Sequence, residues 1–347
     1  MKSSLKTLRG RWSLEGGYVE TSDLLIFTVK GLVHPPDRVV AYLRYVVDPS
    51  GDRVRGGVKF RRIYGFDDQI SIIKSKYPHY AHYDEVWGVE VQSVPLDRVT
   101  MAYDPSLGLQ SIMRSSTSDK LAQKAKSFAE ELSSASGVDV EFMGVSGSLL
   151  LSLHTAKSDI DFIVYGVDNS FKARRAMIKL LDEGGSFRRL NKDEMEELFE
   201  SRSRETPMNF NLFVKQEGRK VIQGIYRGSM YFIRFVKDLN EVGESYGERL
   251  TRGIGRSKIR ALVIDDSESI FTPCTYIVKC LEVLEGEADS TRLTEVTSFR
   301  GRFAEQASRG EVVEVVGRLE EVNFKGKRYQ RIVVGSSGDY MISLNLI

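Results

Sequence analysis

Cysteine is nearly absent from this chain of 347 residues: Cys274 and Cys280 are the whole complement. A disulfide scaffold is therefore excluded, and two thiols with no histidine nearby make a poor zinc site. Histidine is scarce as well. His34, His79, His82 and His154 lie too far apart in sequence to form a metal set by spacing. No sign of charge dominates: 50 Lys and Arg stand against 48 Asp and Glu, a net charge of +2. Any basic surface for nucleic acid must then be local. No apolar run reaches the roughly 18 residues a membrane span needs. Residues 1–10 lack the apolar core of a signal peptide. No repeat of fixed period is visible. These absences lead us to expect a soluble, cytoplasmic protein with no membrane partner, and they do not set an oligomeric state.

What is present is an ordinary globular composition, 41% hydrophobic and 28% charged, over a length that predicts two or three domains. One stretch states a chemistry. Gly147-Ser148 is followed after ten residues by Asp159-Ile160-Asp161. Residues 138–143 before it alternate like a strand, and residues 159–164 read as another. Leu149–Leu153 between them is long enough for about one and a half helical turns.

In a strand, residues two apart share a face, so Asp159 and Asp161 are expected together, with Ile160, Phe162 and Val164 opposite. Two adjacent carboxylates repel, and burying them is costly without a cation. Oxygen-only ligands favour Mg²⁺ or Mn²⁺. Gly147 permits close backbone approach, Ser148 supplies a hydroxyl, and a helix start supplies free N–H groups for an anion. Lys157, four residues before Asp161, can lean over the same place. His154 lies in the same loop, where a nucleotide contact is a candidate role.

Gly-Ser, about ten variable residues and Asp-x-Asp resemble the signature of the nucleotidyltransferase superfamily, the polymerase-beta-like fold, over about residues 119–240. Pro35-Pro36-Asp37-Arg38, Arg44-Tyr45 and Gly51-Asp52-Arg53 further resemble an uncharacterised group of predicted nucleotidyltransferases. The resemblance implies a metal-dependent, magnesium- and ATP-binding enzyme. It would move a nucleoside monophosphate from an NTP, ATP foremost, to an acceptor such as a nucleic acid. Gly147 and Ser148 would hold the β- and γ-phosphates, and Asp159 and Asp161 the metal. It also implies a third carboxylate on the strand after Asp-x-Asp. The candidate strand Ser229–Val236 carries Arg234 there, counted here with the phosphate-binding residues. The nearest acid is Asp238, at the strand's end; Asp265 and Asp266 are more distant. Three readings stay open: a relocated catalytic carboxylate (Asp238), an enzyme needing two, or an inactive nucleotide- or RNA-binding protein on this fold.

The expected fold class is α+β. A central domain over residues 113–257, a mixed sheet with helices on one side, is flanked by β-rich domains over 1–112 and 258–347. The last reads as a meander resembling a small oligonucleotide-binding barrel. Residues 1–66 carry twelve Lys or Arg against six Asp or Glu, interleaved with aromatics: Tyr42, Arg44, Tyr45, Lys59, Phe60, Arg61, Arg62 and Tyr64. Such a sheet either holds single-stranded nucleic acid or has one solvated basic face and one packed aromatic face. Residues 104–118 read as a linker and 119–134 as an amphipathic helix ended by Gly137. Further helices are expected over 170–183 and 191–204.

Overall fold

The computed structural model describes residues 10–203 and 205–346. The signal-peptide reading falls on residues 1–9, and the expected end of one helix on Arg204; both lie outside the described residues. The chain is a mixed α+β protein, with three sheets among the described residues. Among the described residues no helix is long and apolar enough to cross a membrane.

The chain divides into two compact units. The first holds residues 1–84, 90–187 and 225–246; the second holds 85–89, 188–224 and 247–347. Residues 1–112 and 113–257, expected as separate domains, thus fall largely in one unit. The expected boundary at 257 lies inside a single strand, Arg249–Asp265.

The first sheet is built from β1 (Tyr18–Thr21), β2 (Ile26–Val29), β3 (Arg38–Val47), β4 (Arg53–Arg55), β5 (Val58–Arg62), β6 (Ala81–Asp84), β7 (Val89–Pro95) and β8 (Val99–Tyr103). Its main order is β4-β5-β3-β2-β1-β8, with β7 beside β3 and β6. Helix α1 (Phe66–Lys76) follows β5 and stops before Pro78, which cannot continue a helix. Its Ile73 joins the core of Phe27, Val29, Leu43 and Tyr80.

Residues 104–118 are not a linker. Pro105–Arg114 is helix α2, because Asp104 caps it, accepting from the Ser106 and Leu107 amides, and Pro105 occupies the first turn. Helix α3 (Lys120–Ser136) runs as expected, is capped by Asp119 and ends at Gly137 in the left-handed region. Residues 138–142 are not strand either. Asp139 caps a single 3₁₀ turn by accepting from the Glu141 amide, which leaves β9 as Met143–Val145 alone.

After β9 come the one-turn helix α4 (Gly147–Leu150), β10 (Ile160–Tyr165) and α5 (Val167–Glu183). The chain leaves the sheet at β11 (Phe187–Arg188), passes through α6 (Lys192–Ser203) and α7 (Phe210–Gly218), and returns on β12 (Gln223–Tyr226) and β13 (Ser229–Val236). The sheet order is β11-β12-β13-β10-β9. Strand β10 lies antiparallel to β9 and parallel to β13.

One face of β10 packs on α3: Phe128 meets Phe162 at 4.7 Å between ring centroids and Tyr231 at 5.4 Å. The other face is covered too. Ile163, Tyr165 and Val236 cluster with Leu14 from the N-terminal segment, and Ser146 Oγ donates to the Gly16 carbonyl at 2.6 Å. Helices α3 and α5 take one side of this sheet, and the start of the chain lies on the other.

In the second unit, β14 (Arg249–Asp265), β15 (Cys274–Glu285), β16 (Leu293–Ser298), β17 (Val312–Phe324), β18 (Lys327–Val333) and β19 (Tyr340–Ser343) form one sheet. Its pairings close in a ring, β14-β15-β16-β18-β17-β14, with β19 added to β17. All are antiparallel except β16–β18. Strand β17 runs unbroken through Gly317, where a Cβ would stand 2.6 Å from the Val333 carbonyl oxygen.

Candidate functional site

The turn between β9 and β10 is tight because the backbone and a carboxylate meet there. Gly147 has φ +61°, and a Cβ on it would lie 2.0 Å from Asp161 Oδ2. The Ser146 amide donates to the Asp161 carbonyl at 2.8 Å, and the Leu153 amide to the Ser148 carbonyl at the same distance. Ser148 is itself buried, 3% exposed.

The loop from Ser152 to Asp159 is held from two sides. Arg53, on β4, donates through Nη1 to the Leu153 carbonyl at 3.2 Å and to Ser158 Oγ at 3.1 Å. His154 Nε2 lies 2.5 Å from Asp119 Oδ2, the cap of α3. His154 therefore anchors the loop through Nε2, while its Nδ1 is buried with no hydrogen-bond partner among the described residues. Lys157 is exposed in this loop.

Asp159 sits one residue before β10, and Asp161 is its second residue. The alternation expected of them holds in β10: Ile160 and Phe162 are fully buried, whereas Asp161 turns to the face covered by the start of the chain. The two carboxylates feel one another. The Asp161 charge, then burial, pushes the Asp159 carboxyl above its ordinary value, against the Arg62 and Arg234 charges. Burial pushes the Asp161 carboxyl up as well, but Arg234 and Arg62 outweigh it and hold Asp161 below its ordinary value.

Arg234 is directly bonded to this pair. The parallel register sets Phe232 opposite Asp161 and Arg234 opposite Ile163. From there Arg234 Nη1 donates to Asp161 Oδ1 at 3.0 Å, with its guanidinium 5.0 Å from the Phe232 ring centroid. Asp238 is not brought in. It lies past the end of β13, six residues beyond Phe232, the residue that pairs with Asp161. There it caps a 3₁₀ turn, accepting from the Leu239 amide, and binds Arg11 Nη2 at 2.5 Å. Asp265, at the end of β14, and Asp266 belong to the second unit.

Two site residues were not assigned from sequence. Arg44 on β3 and Arg62 on β5 come from adjacent strands, Tyr45 pairing with Arg62, and both act on Asp161. Arg44 Nη1 donates to the Ile63 carbonyl at 3.2 Å, and burial together with the Arg62 charge lowers its pKa. The Arg62 Nε is buried and has no hydrogen-bond partner among the described residues. Behind them Lys30 and Glu15 pair at 2.7 Å, and the Gly31 amide also donates to Glu15. The signal for Arg44 was in the chain: a cation inside the apolar run Val39–Val47.

The donor set does not fit a two-ion centre. It offers two carboxylates, one of whose oxygens accepts from Arg234, ringed by Arg44, Arg62 and Arg234. Among the described residues no group of three or more His, Cys, Asp or Glu gathers to hold a metal. What the arrangement offers is three guanidinium groups near enough to act on one carboxylate beside a glycine turn.

The chain is 31% identical over 330 residues to uncharacterized protein MJ1086 of Methanocaldococcus jannaschii, an alignment covering 92% of this chain and 94% of that protein. It belongs to the same family as that archaeal protein. No protein-family model matches the chain, and no solved structure matches it.

Proposed function

We propose that the first unit is a nucleotide-binding module on a nucleotidyltransferase-type fold, taking a nucleoside triphosphate, ATP foremost, by its phosphates. The observation that carries this is the convergence of Arg44, Arg62 and Arg234, from three strands, on Asp161, with Arg234 alone of the three hydrogen-bonded to it. The surplus cations suit a polyphosphate, because guanidinium forks match phosphate oxygens and form the stronger, charge-assisted bonds. Strand order supports the same reading. The resemblance places a further strand after the Asp-x-Asp strand, and β13 lies directly beside β10. Gly147 would let the backbone approach the phosphates, and Arg234 would pass from Asp161 to a phosphate oxygen.

Metal-dependent nucleotidyl transfer is the second reading. It is favoured by the Asp159–Asp161 pair, whose mutual repulsion a divalent cation would relieve. A nucleic-acid acceptor would suit the closed ring of the second unit, where Arg249 lies 4.0 Å from the Phe324 ring centroid and Lys325 and Lys327 flank the turn. That part of the reading expects RNA affinity that falls steeply with salt.

The test is titration calorimetry of the full chain with ATP, with and without Mg²⁺, beside a pyrophosphate assay with Mn²⁺. ATP should bind, and Arg62→Ala should weaken it at least about tenfold, the worth of a charge-assisted bond. Failure of ATP and the other three NTPs to bind sinks the proposal. Released pyrophosphate, lost in Asp161→Asn, decides for transfer.

A further inference from the structure

Tyr64 is 67% exposed, more than any other large hydrophobic side chain among the described residues. It lies two residues past the end of β5. Ile63 between it and Arg62 is buried in the core of the first sheet, so Arg62 and Tyr64 project from the opposite side. Two cations stand beside the ring. Arg62 Cζ stands 4.8 Å from its centroid and Arg44 Cζ 5.8 Å. These are two of the three arginines that act on Asp161. An aromatic ring is therefore held at the edge of the phosphate site with most of its surface in solvent.

Burying a ring is the ordinary way to gain from it, and this position forgoes most of that gain. An exposed ring beside guanidinium groups is instead the pairing by which proteins hold a base and its phosphates together. The base stacks on the π-face while the cations take the charge. We propose that Tyr64 is the base-stacking platform of this site, so that its ligand class is a nucleotide with an accessible aromatic base and not any polyphosphate. The proposal rests on the phosphate-binding reading above, and it adds a contact on the other end of the ligand. Because a π-face accepts every base, it expects discrimination by stacking strength: ATP held more tightly than UTP.

The test uses the full chain and two probes, ATP and inorganic tripolyphosphate, in titration calorimetry of the wild type, Tyr64→Ala and Tyr64→Phe. Tyr64→Ala should weaken ATP about tenfold. Tripolyphosphate, which has no base, should change by less than about twofold. Tyr64→Phe, which keeps the π-face, should restore ATP affinity. Equal weakening of both probes in Tyr64→Ala would mean that the ring merely positions Arg62, and would overturn the proposal. So would unchanged ATP affinity, and either result leaves the phosphate reading standing. If the wild type binds neither probe, both readings fall.

Discussion

Gly147 shows how one residue joins the backbone to the chemistry. Its φ of +61° lies in the left-handed region, and its missing Cβ leaves the space that Asp161 Oδ2 occupies. Gly147→Ala adds a left-handed penalty of about 1–2 kcal/mol and a contact at 2.0 Å that must be relieved by moving the carboxylate or the turn. Urea unfolding should show a loss of at least about 2 kcal/mol. In an Asp161→Ala background the same substitution should cost visibly less, because the clashing oxygens are gone. Equal costs in the two backgrounds would mean that Asp161 does not set the need for glycine. At this scale, Asp159, Asp161 and Gly147 were legible because they lie within one turn of chain. Arg44 and Arg62 were seen only as basic residues among aromatics. Nothing local says that they meet a carboxylate about a hundred positions later, and only the folding of the first sheet onto β10 does.

Among the elements, the loop of residues 152–159 decides where Asp159 stands, and it is fixed by groups far from it in sequence. Arg53 holds the Leu153 carbonyl and Ser158 Oγ from β4, and His154 is tied to the cap of α3. Leu151 and Leu153 pack with Tyr18, Tyr45 and Phe60 of the first sheet. Arg53→Ala removes two bonds from one buried cation, on the order of 1.5–3 kcal/mol. Hydrogen exchange at residues 153–158 should then rise at least about tenfold while the β10 amides stay protected. Protection unchanged across the loop would show that the leucines alone hold it. The helices and strands with clean periodicity, α3, β3 and β13, were readable from sequence. Residues 104–118 were not, since Ser and Gly gave them a linker's look. The Asp104-Pro105 start that nucleates α2 was the local signal that outweighed composition. Residues 138–142 failed in the other direction: apolar alternation suggested a strand, and the Asp139 cap made a turn instead.

At the level of the molecule, three domains were expected and two units are found, each assembled from separated stretches of chain. The sequence marks turns and composition shifts, but it cannot mark which stretches return to one another. The β-rich character of both ends was legible; a C-terminal meander is not what forms, since β19 pairs with β17 and β18 lies parallel to β16. The long strands were not legible: the boundary expected at 257 cuts β14, and β17 runs unbroken through Gly317. This difference makes a prediction about truncation. A fragment of residues 1–257, cut where composition placed a boundary, ends inside β14 and loses β17, its ring partner along residues 249–262. It also strips the second unit's buried ion cluster. Lys220 Nζ bonds to Glu217 Oε1 at 2.7 Å, the Arg302 carbonyl at 2.6 Å and Gln306 Oε1 at 2.7 Å. The cut removes the last two, along with the Met341 carbonyl that accepts from Gln216 Nε2. An ammonium and an amide buried for three partners are then left short of them, at a cost of several kcal/mol. The fragment should be insoluble, or soluble with broad, non-cooperative thermal melting by circular dichroism, while the full chain melts cooperatively. A monomeric 1–257 fragment that melts cooperatively within a few degrees of the full chain would restore the boundary at 257 and refute the two-unit division.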